Sequence, residues 1–276
     1  MGFAKYQEDI VSRYVADQQI AKATVTASPV IKSAALANDN PIESNIQQRK
    51  PTMSSLKKFA ATTARPLPVI ILADTSGSMS EDGKIEALNA ALKEMIVTFS
   101  KENRLRAELQ IGLITFGEHV QVHTPLQSAD KITQIDDLIA KGPTPMGAAF
   151  EKAINLLEDK DLIPSRAYRP VLILVSDGQP TDEWKNSFDK LTLSERGKKA
   201  TRFAMAIGVD ADEAMLTTFA NDIEAPLFKA HNARDIHRFF RAVTMSITTR
   251  TESQNPDHSV ALVIPPSDDE LDLDFI

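Results

Sequence analysis

The stretch LPVIILADTSGSMSEDGK, residues 67–84, sets an apolar run directly against a loop crowded with oxygen. The run Leu67–Ala73 shows no polar alternation, which reads as a strand buried on both faces and points to a parallel sheet. It stops at Asp74, and Thr75, Ser76 and Ser78 follow within four positions. A turn uses one such side chain; the rest need another explanation.

Outward from this stretch, strand and helix patterns alternate. Ile85, Leu88, Leu92, Met95, Ile96 and Phe99 recur at helical spacing just after the loop. The segments AELQIGLITF (107–116), PVLILVS (170–176) and TRFAMAIG (201–208) read as further buried strands. HVQVH (119–123) reads as a short antiparallel edge and APLF (225–228) as a last short strand. MGAAFEKAINLLED (146–159) and residues 232–249 read as helices, and Asp210 with Glu213 as a capping box for a helix through Ala220. The alternation predicts an α/β, Rossmann-like fold with a mostly parallel central sheet and helices on both faces.

Composition narrows the function classes. The 276 residues contain no cysteine, which excludes disulfides, thiolate metal sites and cysteine nucleophiles and fits a reducing compartment. No apolar run approaches the roughly 18 residues of a membrane span, so a cytoplasmic protein without a membrane partner is expected. Residues 1–66 carry nine Lys or Arg against five Asp or Glu, whereas residues 251–276 carry no Lys or Arg and seven Asp or Glu. With a net charge of -7, nucleic acid is not an expected partner. The chain divides accordingly into an N-terminal arm at 1–66 (a short helix, Phe3 to Ile20, then a linker rich in Ala, Ser, Asn and Pro), a folded domain at 67–250 and an acidic tail at 251–276.

In an open parallel sheet, ligands bind outside the carboxyl ends of the strands. Asp74, Ser76 and Ser78 fall there. So does Asp177, in VSDGQPTDEW (175–184), and so does Thr144, in KGPTPMG (141–147), at a helix start. Two carboxylates and three hydroxyls, with no histidine or sulfur, form the donor set of a hard cation. So few carboxylates favour Mg²⁺, with Mn²⁺ or Ca²⁺ as the other candidates. Taken singly the residues have plain readings: a serine cap or turn, Thr144–Pro145 as an N-cap with proline at the first helical position, Asp177–Gly178 as a turn. The three loops together are far more specific.

From Leu67 to Arg250 the chain resembles the von Willebrand factor A (VWA) domain with its metal-ion-dependent adhesion site (MIDAS); Asp74, Ser76 and Ser78 match the first loop, Thr144 the second and Asp177 the third. LADTSGSM and SDGQPTDEW are most similar to bacterial cytoplasmic members associated with tellurium resistance and stress response (TerY-like). The resemblance implies that Ser76, Ser78 and Thr144 bind the ion directly, that the two aspartates act largely through water, and that a partner's Asp or Glu completes the shell. It also implies a non-catalytic protein–protein interaction module, an adaptor with a protein kinase, phosphatase or AAA-type ATPase as partner. The alternative is a metal-dependent hydrolase or phosphatase using the same site. The chain has no G-x-S-x-G, no P-loop and no H-E-x-x-H. Trp184, after the third loop, is a candidate for the partner-binding rim. Leu271, Leu273 and Phe275 alternate with acidic residues in SDDELDLDFI (267–276), a period that suits strand addition to a sheet edge, either to a partner or back onto this protein's own metal site.

Overall fold

In the computed structural model, which describes residues 64–101, 107–221, 226–258 and 261–264, the apolar run lies within strand β1 (Arg65–Asp74), buried at every residue after Arg65. It pairs in parallel with β2 (Ala107–Phe116) on one side and with β4 (Val171–Ser176) on the other. Beyond β4 the parallel run continues through β5 (Thr201–Ile207) to β6 (Phe228–Ala230). At the opposite edge β3 (Val120–Ser128) runs antiparallel to β2. The order β3-β2-β1-β4-β5-β6 reverses its winding between β1 and β4. Sheets of this kind open a binding crevice at such a switch point, at the carboxyl ends of the strands.

Alternate β1 side chains serve two cores. Val69, Ile71 and Ala73 join helix α1 (Lys84–Lys101), through Leu88, Leu92 and Met95, and helix α5 (Ala233–Glu252), through Ile236, Phe239 and Val243. Ile70 and Leu72 join the opposite layer of α2 (Met146–Glu158), α3 (Trp184–Leu193) and α4 (Glu213–Phe219). There Phe150 stands 5.6 Å from Phe188 and 5.8 Å from Phe219 between ring centroids. The parallel sheet covered on both faces is thus the fold that the continuous apolar runs specify.

Several elements differ from the sequence reading. Strand β3 extends to Ser128, past Pro125, where its pairing with β2 shifts register. A proline without an N–H is tolerated at a bulge on an edge strand, so it does not end this one. Helix α4 is capped by Asp212, whose carboxylate accepts from Met215 N at 3.0 Å, and not by Asp210. The last strand begins at Phe228, later than expected. Helix α3 is absent from the sequence reading. The expected arm helix at 3–20 and the tail residues Leu271, Leu273 and Phe275 lie outside the described residues. Among the described residues, no helix is long and apolar enough to cross a membrane.

Candidate metal centre

Strand β1 delivers Asp74 to the carboxyl edge of the sheet with its side chain wholly buried. Both oxygens are held locally. Oδ1 accepts from Ser76 N at 2.8 Å, and Oδ2 accepts from the hydroxyl of Ser176, the last residue of β4, at 2.5 Å. Burial pushes the Asp74 carboxyl up to about 6, against those hydrogen bonds, and the nearby Asp177 charge adds a little in the same direction. Anchoring by Asp74 turns the loop so that Ser76 Oγ and Ser78 Oγ stand 3.1 Å apart. The Ser78 hydroxyl donates to Asp177 Oδ1 at 2.7 Å, which joins the first loop to the third.

The second loop is stitched to the first by backbone. Lys141 N donates to Thr75 O at 2.7 Å, and Gly77 N to Gly142 O at 2.9 Å. These bonds bring the Thr144 region beside the serines. Thr144 is 5% exposed, and its hydroxyl makes no hydrogen bond among the described residues. A Cβ placed on Gly178 would lie 3.4 Å from Thr144 Oγ1 and 3.9 Å from Ser78 Oγ, so both hydroxyls border one small space that the glycine leaves open.

Thr144 does not cap α2. The N-cap position is Pro145, and the cap comes from the third loop: Asp182 accepts from Gly147 N at 2.8 Å and from Ala148 N at 2.9 Å. Thr144 N donates to Thr181 Oγ1, and Thr181 N to Thr144 O, so the third loop also fixes the backbone of Thr144. Replacing Asp182 with Ala is expected to lower stability by about 1 kcal/mol, with Thr144→Ala well below that, as read by urea unfolding. Equal losses in the two variants would return the cap to Thr144.

All five sequence-predicted ligands therefore come together at the switch point. Trp184 opens α3 half-buried, its ring 6.0 Å from that of Phe188. Three residues of the site went unread in the sequence: Ser176, Asp182 and Lys84. Lys84 donates to Asp177 Oδ2 at 2.8 Å from the first position of α1. Its sequence signal is a cation at a helix start, where the helix dipole disfavours one.

The donor chemistry suits a hard divalent cation. Among the described residues no three His, Asp or Glu side chains converge, so an ion held here draws on hydroxyl oxygen. Beside the loops, Thr75, Glu118, His119, His123 and Lys141 line a cleft of about 390 Å³. Two aliphatic side chains stand free nearby on carboxyl-edge loops, Ile139 at 81% and Val209 at 89% exposure.

Residues 69–242 match the family model of the von Willebrand factor type A domain. None of the curated proteins matches the chain. Among solved structures, a von Willebrand factor type A protein from Catenulispora acidiphila is similar at 24% identity and TM-score 0.54, covering 67% of this chain and 43% of that one. Proximal thread matrix protein 1 from the mussel byssus is similar at 16% identity and TM-score 0.53, covering 65% and 47%, and is also known with a zinc-occupied MIDAS motif. The ArnB paralog VWA2 from Sulfolobus acidocaldarius follows at 14% and 0.50, covering 66% and 45%. At these identities the likeness is one of fold, and the chain spans less than half the length of each.

Proposed function

The chain belongs to the von Willebrand factor type A family, whose domains are commonly protein-interaction modules, and from that premise we propose that it is a divalent-metal-dependent protein-binding module. The carrying observation is the convergence of oxygen donors from three loops, with the Thr144 hydroxyl, which makes no hydrogen bond among the described residues, bordering the same small space as that of Ser78. Ser76, Ser78 and Thr144 would hold the ion directly, and Asp74 and Asp177 would act through water. The ion supplies Lewis acidity toward one more oxygen ligand, an Asp or Glu of the partner. Mg²⁺ is our choice, since it takes few carboxylates and keeps several waters; Mn²⁺ and Ca²⁺ suit the same donors. The zinc-occupied motif of the mussel protein supports a divalent ion in this type of site.

We read the site as binding rather than catalytic. The serine hydroxyls are engaged with each other and with Asp177, and among the described residues no histidine hydrogen-bonds to them. Ile139 and Val209 offer apolar contacts on either loop, which suits a partner whose acidic residue is flanked by aliphatic ones. We take 67–250 as the working domain, 1–66 as an arm and 251–276 as an acidic tail, with Trp184, Leu271, Leu273 and Phe275 as further partner contacts. The motif similarity to tellurium-resistance-associated members supports a cytoplasmic adaptor in a bacterial stress-response or defence system, serving a protein kinase, phosphatase or AAA-type ATPase.

Affinity capture from the native source tests this. EDTA, Asp177→Ala and Thr144→Ala should each cut recovery of the partner at least about tenfold, the loss of one charge-assisted contact. Capture indifferent to all three would refute the metal-dependent mechanism. Phosphoester turnover lost in Asp74→Ala would instead favour the hydrolase alternative.

A further inference from the structure

We propose that Lys84 is a tethered cation that sets the charge of the metal site, so that a divalent ion binds weakly until a partner's carboxylate arrives. The inference rests on the metal-site reading above and adds a residue to it that the loop motifs do not contain. Lys84 is the first residue of α1, where the aligned peptide dipoles repel a positive charge. Its side chain is only 15% exposed, although lysine loses strongly favourable hydration on burial. Both features run against its local surroundings, and one contact accounts for them. The ammonium lies 2.8 Å from Asp177 Oδ2, on a carboxylate with no exposed side-chain area, and 3.4 Å from Ser78 O. Asp177 thus has one oxygen on Ser78 and the other on Lys84.

The consequence follows from charge. Asp182 is turned to the N–H groups that open α2, so the two aspartates facing the ion, Asp74 and Asp177, with Lys84 leave the empty ion shell at minus one. A divalent ion then takes it to plus one, and a single incoming carboxylate brings it to neutrality. Without Lys84 the loaded site would already be neutral, with no electrostatic demand for a partner. Lys84 therefore opposes the metal alone and favours the metal together with an acidic ligand, which couples the two binding events. In the absence of metal it does the converse, keeping the buried Asp177 charge paired.

Calorimetric titration of EDTA-stripped protein with Mn²⁺, with and without acetate as a simple carboxylate, tests this in the full chain. Lys84→Met should bind Mn²⁺ about tenfold tighter or more than the wild-type protein, since a like charge near the ion is removed. Acetate should tighten Mn²⁺ binding in the wild type and do so less in the variant. Lys84→Gln keeps a donor for Asp177 without the charge and decides the matter if the methionine variant does not fold. Lys84→Arg should stay close to wild type. Unchanged or weaker Mn²⁺ affinity in Lys84→Gln overturns the proposal, because a residue that merely positions Asp177 would weaken binding when replaced. Asp74→Ala separates the two readings. If it abolishes Mn²⁺ binding while Lys84→Gln changes nothing, the site stands and the role of Lys84 falls. If it binds as the wild type does, the site itself is wrong.

Discussion

In EDTA at pH 8, an Asp74→Asn variant is expected to be more stable than the wild-type protein by about 2–3 kcal/mol, from the cost of holding a buried carboxylate ionised. Burial raises the folded-state value of Asp74 from 3.8 to about 6. A raised value means that the folded state prefers the protonated form. The contribution of this group to stability is therefore fully present below the unfolded value near 3.8, and it is lost as pH climbs through about 6. Asparagine keeps the shape, still accepts from Ser76 N, and turns its amide toward Ser176 Oγ, so it escapes the penalty with both contacts retained. Denaturant midpoints from pH 4 to 8 check this: the wild-type curve falls relative to the variant's across that window. Superimposable curves would mean that Asp74 carries no penalty. Metal binding should weaken in the same variant, since the carboxylate is the feature exchanged for stability, a trade common at functional sites.

Gly142→Ala is expected to cost on the order of 3 kcal/mol, from a strained backbone and a steric clash together. Gly142 has φ +90°, and a Cβ there would fall 2.5 Å from both Cα and N of Glu118. These are backbone atoms held in place: Glu118 N donates to Lys141 O at 2.7 Å, so the clash has no flexible side chain to yield. Relief requires moving the second loop away from the first, which breaks the bond from Gly77 N to Gly142 O and withdraws Thr144 from the serines. Urea unfolding and Mn²⁺ affinity should fall together. A variant within about 0.5 kcal/mol of wild type would show that the loops are not locked at this point.

Much of this was legible in the sequence because it is written locally. The apolar runs of β1, β4 and β5 and the helical spacing from Ile85 to Phe99 are short-range patterns, and short-range patterns specify the sheet and its covering helices. The five candidate oxygen donors were noticeable for a related reason: each sits within a few positions of a strand or helix end. Helix α3 escaped because it has few apolar anchors, chiefly Trp184, Phe188 and Leu191, among polar neighbours, and it gains its place by packing on Phe150 and Phe219. Tertiary contact outweighs propensity there. Ser176, Asp182 and Lys84 escaped because their partners are remote in sequence. Ser176 meets Asp74 across 102 positions, Lys84 meets Asp177 across 93, and Asp182 caps a helix 35 positions earlier. No local spacing announces such pairs, although a lysine opening a helix and an aspartate crowded behind a third loop are each locally unexplained.

A divalent ion held by Ser76, Ser78 and Thr144 is tested most directly by anomalous diffraction from crystals of the protein soaked in Mn²⁺. One peak is expected per chain, within coordination distance of those three hydroxyls and set back from Asp74 and Asp177. The absence of a peak there, or a peak lying instead in the neighbouring cleft between His119 and His123, would contradict it.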